Sequence, residues 1–120
     1  MTRLSGAALL LALMAATPAS AADSAHGQQV FKACAACHGN DGKGGTLGPS
    51  LVGVVGRKAG SLDDFRYSPA MKRSGVVWDD GNLRDYVANP QGKIKGNRMP
   101  FSGLPPKDAD DVVAYLKTLR

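Results

Sequence analysis

The chain has 120 residues and a formal net charge of +5, and all ten of its acidic residues are aspartates. That length suits one modest domain and excludes a second of ordinary size. No run of basic residues interleaved with aromatics occurs, which argues against a nucleic-acid-binding protein. The positive charge can instead attract an acidic protein partner.

The first residues have the pattern of a secretory signal peptide. Arg3 gives a positive start, small and apolar residues fill 4–16, and an A-S-A cleavage motif stands at 19–21. The apolar run is shorter than the roughly 20 residues that span a bilayer, which argues against the alternative of a retained membrane anchor. We therefore predict a cleaved signal peptide over 1–22, export to the periplasm, and a single domain over 23–120.

The predicted domain opens with a helix. Residues 25–36 are good helix formers and carry Val30, Phe31 and Cys34 at three-to-four spacing. The next stretch, 39–60, has too many glycines for a regular element, yet it keeps leucines and valines that a disordered linker has no reason to hold. We predict a compact loop that wraps an apolar object.

Three further helices are predicted. Ser68 followed by proline indicates a short capped helix over 68–74, and the apolar stripe of 83–90 indicates another, ended by its proline. Residues 92–103 read as irregular. The last helix lies within 105–120, with aspartates in its first turn and basic residues in its last, as the helix dipole favours. No alternating pattern is long enough for a sheet, so the predicted fold is all-α.

The two cysteines lie in the segment CAACHGN, at Cys34 and Cys37, with His38 next. C-x-x-C followed by His is typical of covalent haem attachment, because the spacing puts both sulfurs on one side of a helical turn, within reach of one porphyrin edge. A thioredoxin-like pair normally follows a strand, and a zinc site needs four ligands where only His26 remains. Haem attachment is favoured, and His26 is assigned to the surface.

The second axial position of a haem iron decides the chemistry. Met71, Met99, His26 and the lysines are the candidates. Met71 falls in a short predicted helix, where packing is the simpler role, whereas Met99 falls in an irregular loop that can present its thioether freely. Met99 is therefore favoured. With His38 opposite, the iron exchanges one electron and keeps no vacant position, which favours a carrier over an enzyme.

Together these features resemble the class I c-type cytochromes, which include mitochondrial cytochrome c and related soluble bacterial carriers. The similarity runs over 27–119 and rests on ordered landmarks: Gly27, Phe31, Cys34-x-x-Cys37-His38, Pro49, Arg57, Tyr67, Trp78, Tyr86, Met99 and Tyr115. It implies a cytochrome c fold of three to five helices with long ordered loops around one covalently bound haem c. In that fold the N-terminal helix, through Gly27 and Phe31, crosses the C-terminal helix at Val112 and Tyr115.

The resemblance also implies roles around the haem. Pro49 would offer its carbonyl to the far ring nitrogen of the iron-binding histidine, which orients the ring. Arg57, Tyr67 and Trp78 resemble the residues that hold buried haem propionates. Tyr86 resembles the aromatic residue beside the methionine sulfur. The chain departs from the family pattern at Met71, where asparagine is common.

The predicted function is that of a periplasmic one-electron carrier between respiratory or photosynthetic complexes, and not of an enzyme. Lys43, Lys93, Lys95 and Arg98 flank the ligands and are expected to dock on acidic faces of a quinol-oxidising complex, a terminal oxidase or a reaction centre. The alternatives are a dedicated electron-transfer subunit of a periplasmic dehydrogenase, and a haem peroxidase if the Met99 bond is weak. We expect a monomer that binds no nucleic acid and has no membrane span after cleavage.

Overall fold

The computed structural model describes residues 2–3, 5–11 and 21–120. Much of the predicted signal peptide, including residues 12–20, lies outside the described residues. Within the described ranges, no helix is both long and apolar enough to cross a bilayer.

Six helical segments follow one another in the described part of the chain: α1 (Ser24–Val30), α2 (Lys32–His38), α3 (Pro69–Lys72), α4 (Asp80–Ala88), α5 (Pro90–Lys93) and α6 (Pro106–Leu116). Extended pairing in the same ranges is limited to one antiparallel bridge between Lys58 and Val77. The all-α prediction is confirmed. The six segments correspond to the predicted three to five helices because α1 and α2 are nearly continuous and α3 and α5 are single turns.

The predicted helix over 25–36 is observed as α1 and α2, which meet at Phe31. The backbone of Phe31 is itself right-handed helical, so the axis is only locally interrupted. Asp23 caps α1 by accepting a hydrogen bond from the backbone N–H of His26. At the other end, α2 stops at His38 because Gly39 takes a positive φ of 84°. The C-x-x-C-H motif therefore occupies the last turn of a helix.

Two short helices begin with a proline behind a side-chain cap. Ser68 accepts a hydrogen bond from the backbone N–H of Met71 and caps α3, as predicted. Pro90, which was predicted to end α4, comes two residues after the last residue of that helix. Pro90 also begins α5, and the second half of α5 falls in the stretch 92–103 that was predicted to be irregular. Asn89 caps this extra turn by accepting from the N–H of Gly92. Proline suits the first helical position because it has no N–H to leave unpaired.

Helices α1 and α6 cross at the predicted place. A Cβ on Gly27 would overlap the carbonyl oxygen of Asp111 and lie 3.0 Å from the Cβ of Tyr115, so only glycine lets the two backbones approach this closely. Beside the crossing, the rings of Phe31 and Tyr115 have centroids 5.2 Å apart. Val112 is fully buried in the same core. The crossing fixes the N-terminal half of the site against the C-terminal helix.

One expectation about the polar residues at this crossing is wrong. Asp111, predicted to lie in the first turn of the last helix, lies in the second turn of α6 and is 1% exposed. His26 is on the surface as predicted, with 47% of its side chain exposed, and it contacts Asp111. The carboxylate accepts from the N–H of Asp23 at 2.8 Å, from Lys107 at 2.7 Å and from His26 Nδ1 at 2.7 Å. These bonds, led by that of the Asp23 N–H and then by Lys107, lower the pKa of Asp111.

Candidate functional site

A cavity of about 470 Å³ lies behind α2, and the core side chains of several elements form its wall. The apolar part of the lining comes from four separate regions of the chain and includes Phe31, Leu51, Val54, Leu83, Val112 and Leu116. The volume is in the range of sites that enclose a small molecule or cofactor. Leu51 and Val54 belong to the glycine-rich loop, which confirms that this loop covers an apolar space.

Cys34 and Cys37 both line this cavity from α2, and neither forms a disulfide. Both thiols are partly buried. Burial raises the pKa of the Cys34 thiol, and the charge of Cys37 acts in the same direction. A thioredoxin-like pair needs a lowered thiol pKa, so this environment disfavours that alternative. The pair is instead placed to bond with a group inside the cavity.

His38 is the last residue of α2, and its ring orientation is fixed. Nδ1 lies 2.8 Å from the carbonyl oxygen of Pro49, which can only accept, so Nδ1 carries the proton and Nε2 keeps a free lone pair. Burial lowers the pKa of His38 more than this hydrogen bond raises it. Gly48 permits the contact, since a Cβ there would lie 3.0 Å from Nδ1. The result is a neutral imidazole, the form that ligates metals.

The two candidate methionines, Met71 and Met99, both line the cavity. Met71 is part of α3 and packs partly against the core. Met99 lies in the extended segment after α5, and its backbone N–H donates to the side chain of Asn97 at 2.8 Å. The sequence offered both as ligand candidates and favoured Met99, and the structure brings both to the same cavity.

The four remaining predicted site residues also line the cavity: Arg57, Tyr67, Trp78 and Tyr86. The rings of Trp78 and Tyr86 pack against each other with centroids 4.9 Å apart and an interplanar angle of 48°, and burial raises the pKa of Tyr86 to about 12. Burial is also the main reason that the pKa of Tyr67 is raised. Both phenols therefore stay neutral and can act as hydrogen-bond donors at ordinary pH.

The guanidinium of Arg57 is already held by the loop that precedes it. It donates to the carbonyl oxygens of Ser50 and Val52, at 2.6 Å in each case. A guanidinium has five N–H groups, so donors remain for an anion. Arg57 therefore has two roles. It joins Ser50 and Val52 of the glycine-rich loop by hydrogen bonds, and it brings a fixed positive charge to the cavity.

Two cationic residues line the cavity although the sequence did not place them there, Arg66 and Arg98. Arg66 stands between Phe65 and Tyr67, which pack edge to face at 5.0 Å. A single arginine between two aromatic residues is not a distinctive pattern, so the sequence carried no signal that pointed to Arg66. Arg98 was identified only as a surface charge, although it directly precedes Met99.

The all-α fold, the C-x-x-C-H motif at a helix end and the apolar cavity behind it define a c-type cytochrome. The family model for cytochrome c matches residues 24–120, and the chain belongs to that family. It is 47% identical over 103 residues to cytochrome c2 of Rhodoblastus acidophilus, covering 83% of this chain and 95% of that one. It is 46% identical over 116 residues to cytochrome c2 of Rhodomicrobium vannielii, covering 94% of this chain and 90% of that one.

A solved structure extends this likeness to three dimensions. The fold matches cytochrome cH from Methylobacterium extorquens with a TM-score of 0.74 and 47% sequence identity, over 80% of this chain and 98% of that one. The predicted cytochrome c fold is confirmed.

The family carries one covalently bound haem c, and the residues around the cavity fit that group. Two unpaired thiols and a neutral imidazole lie on one wall, thioethers are within the lining, and the rest of the wall is largely apolar. Positive charge at Arg57, Arg66 and Arg98 suits the carboxylates of a haem, which are costly to bury without partners. Thiols, imidazole and thioether are the donor set of a c-type haem site.

Proposed function

We propose that the protein is a one-electron carrier whose haem is bonded to Cys34 and Cys37 and ligated by His38 and Met99. The observation that carries the proposal is the apolar cavity with both thiols and the Pro49-bound imidazole in its wall, and Met99 in the same lining. The haem iron, when bound, supplies reversible one-electron chemistry, and a thioether opposite an imidazole favours the ferrous state and raises the potential.

The protein's own residues orient the ligand and exclude water. The carbonyl of Pro49 holds the Nδ1–H of His38 at 2.8 Å, which strengthens the opposite nitrogen as a donor. Buried side chains such as Val112 and Leu116 shield the cavity from solvent. A low-dielectric, rigid wall means that little has to rearrange when the charge of the bound group changes.

The haem propionates are assigned to Arg57, Tyr67 and Trp78. All three line the cavity, and Arg57 is fixed there by its two carbonyl contacts. The indole N–H and the neutral phenol are donors that can bond a carboxylate without adding charge. Tyr86, whose ring packs at a tilt against Trp78, is assigned to the neighbourhood of the methionine sulfur.

The ligand set favours a carrier rather than an enzyme. If His38 and Met99 both hold the haem iron, no position on the iron would be open for a substrate, which disfavours the haem peroxidase alternative. A dedicated subunit of a periplasmic dehydrogenase would use the same site as a fixed relay. Relatives named cytochrome c2 support the single-protein carrier instead.

The site of action is assigned to the periplasm, after removal of a signal peptide over 1–22. Partners are assigned to the acidic faces of membrane redox complexes. Arg98 is exposed and lines the cavity, as does Leu47, which is 71% exposed. Lys95, three residues before Arg98 in the same loop, is also exposed. Lys93 contributes less than expected, because its ammonium is held by Asn82 at 2.8 Å and lies 3.6 Å from the Asp85 carboxylate. Exposed charge around a small apolar contact favours brief, fast docking.

The ligand assignment is tested by comparing Met99→Ala with Met71→Ala in the oxidised holoprotein. Met99→Ala should abolish the long-wavelength sulfur-to-iron absorption band and let the reduced form bind carbon monoxide. Met71→Ala, which removes the other thioether of the lining, should keep the band. The opposite pattern would make Met71 the ligand, and carbon monoxide binding by the unmutated protein would favour the peroxidase alternative.

A further inference from the structure

The segment that carries Met99 contains an unusual buried amide, Asn97. Asn97 is 7% exposed. Its side chain forms three hydrogen bonds, all to backbone atoms of residues 90–99. Nδ2 donates to the carbonyl oxygens of Pro90 at 3.0 Å and Ile94 at 2.9 Å. Oδ1 accepts from the backbone N–H of Met99 at 2.8 Å. One buried side chain therefore joins the start of α5, its end, and the proposed ligand residue.

A second amide closes the same loop from the solvent side. The Nε2 of Gln91 donates to the carbonyl oxygen of Asn97 at 3.0 Å, and its Oε1 accepts from the N–H of Gly96 at 3.1 Å. Gln91 and Asn97, which we call the amide clamp, thus connect residues 90–99 by side-chain bonds. Regular structure cannot do this here, because α5 ends at Lys93 and the chain from Ile94 to Met99 forms no helix or strand.

We propose that Asn97 is a positioning residue for Met99, and that the amide clamp keeps the thioether directed into the cavity. This inference rests on the proposed function, because it takes Met99 as the axial ligand. A loop without the clamp would have to fix Met99 by backbone contacts alone, and unrestrained loops lose conformational entropy when they are ordered. By supplying that order in advance, the clamp strengthens a bond between the sulfur and iron that is otherwise easily displaced.

The clamp also has a chemical property that a charged pair lacks. Neither amide titrates, so the restraint on Met99 is the same at every pH at which the protein is folded. The carbonyl oxygens of Pro90 and Ile94 keep backbone donors, the N–H of Ile94 at 2.9 Å and of Asn97 at 3.2 Å. Loss of the Asn97 side chain instead removes the acceptor of the Met99 N–H, and a donor left without a partner costs more than the bond contributes. The effect of removing Asn97 should therefore exceed that of removing the exposed Gln91.

The test measures how readily free imidazole displaces the sulfur in the oxidised holoprotein. Three lost hydrogen bonds in Asn97→Ala should raise the apparent imidazole affinity by about 10- to 100-fold. Asn97→Ser, whose hydroxyl can still accept from the N–H of Met99, should give an intermediate increase. Gln91→Ala should raise the affinity by about tenfold or less.

A matched control separates positioning from general loss of stability. Asn82→Ala removes an amide of the same size that bonds the Val77 carbonyl and Lys93, with no bond to residues 94–99. It should lower stability without changing imidazole affinity. An Asn82 variant that raises the affinity as much as Asn97→Ala would overturn the positioning role.

The remaining outcomes are distinguishable. If Met99→Ala keeps the sulfur-to-iron band, the proposed ligand set is wrong and the inference falls with it. If Met99→Ala abolishes the band while Asn97→Ala changes imidazole affinity less than twofold, only the inference is overturned. Should Asn97→Ala not fold, amide exchange in the unmutated protein decides the matter. The N–H of Met99 should exchange at least about 100-fold more slowly than in an unfolded chain, and an unprotected N–H contradicts the clamp.

Discussion

Replacing Gly27 by alanine tests the helix crossing that supports the site. In an open helix this change stabilises by about 1 kcal/mol, because alanine is the better helix former. Here the new Cβ would overlap the Asp111 carbonyl oxygen and lie 2.5 Å from its carbon, about 1 Å short of ordinary contact. Both obstacles are backbone, so α1 and α6 must separate. Overpacking typically costs about 1–3 kcal/mol, and a gap of about 1 Å forfeits up to half of each dispersion contact across the interface.

We expect Gly27→Ala to lower the free energy of unfolding by about 3 kcal/mol. With a guanidinium slope of about 3 kcal/mol/M, the midpoint should fall by about 1 M. The assay is denaturation of the oxidised holoprotein followed by far-ultraviolet circular dichroism. Gly81→Ala is the control: its Cβ would meet only side-chain ends at 3.7 Å in α4, so this variant should be unchanged or slightly more stable. A Gly27 variant as stable as the Gly81 variant would refute the close crossing.

The other predictions concern charge and processing. Asp111→Asn should destabilise the protein at neutral pH. Because folding lowers the pKa of Asp111, the difference in stability between the variant and the unmutated protein should shrink as the pH falls below the ordinary carboxyl pKa of 3.8. An equal difference in urea midpoint at pH 7 and at pH 3 would contradict this. Lys95→Glu should slow oxidation by a membrane fraction about severalfold at low salt, and much more than Lys117→Glu, which changes the net charge equally at the residue that follows α6. Equal slowing would argue against docking near the cavity. Mass spectrometry of the exported protein should find a chain that begins at Asp23, and a chain that retains Met1 would exclude cleavage.

Several features of the fold follow from the sequence because their causes are local. The serine-proline pair at 68–69 predicts the start of α3, since the side-chain cap and the fixed φ of proline act within one turn. The C-x-x-C-H spacing predicts that Cys34 and Cys37 line one cavity, because residues three apart share a helix face. The imidazole contact of Pro49 came from family resemblance, and the structure places it at hydrogen-bond distance.

Other features depended on residues that are far apart in the chain. Asp111 looked like one of three helix-dipole aspartates, and no partner was predicted for the surface residue His26, because a helix pattern does not reveal which face meets another helix. Their contact joins positions 85 residues apart in sequence. The α5 turn was also hidden, since proline signals a helix end and a helix start equally well and only packing decides between them.

The sequence by itself determined the chemistry of the site: which donors exist, how the thiols and imidazole are spaced, and that an apolar group must complete the small core. The tertiary structure decided which side chains enclose that group, bringing Arg66 into the lining beside both candidate methionines, and it placed the buried amide of Asn97 in a hydrogen bond with the backbone N–H of Met99. The physical reason is that spacing along a helix fixes neighbours within a turn, whereas burial and loop hydrogen bonds arise only when distant segments pack together.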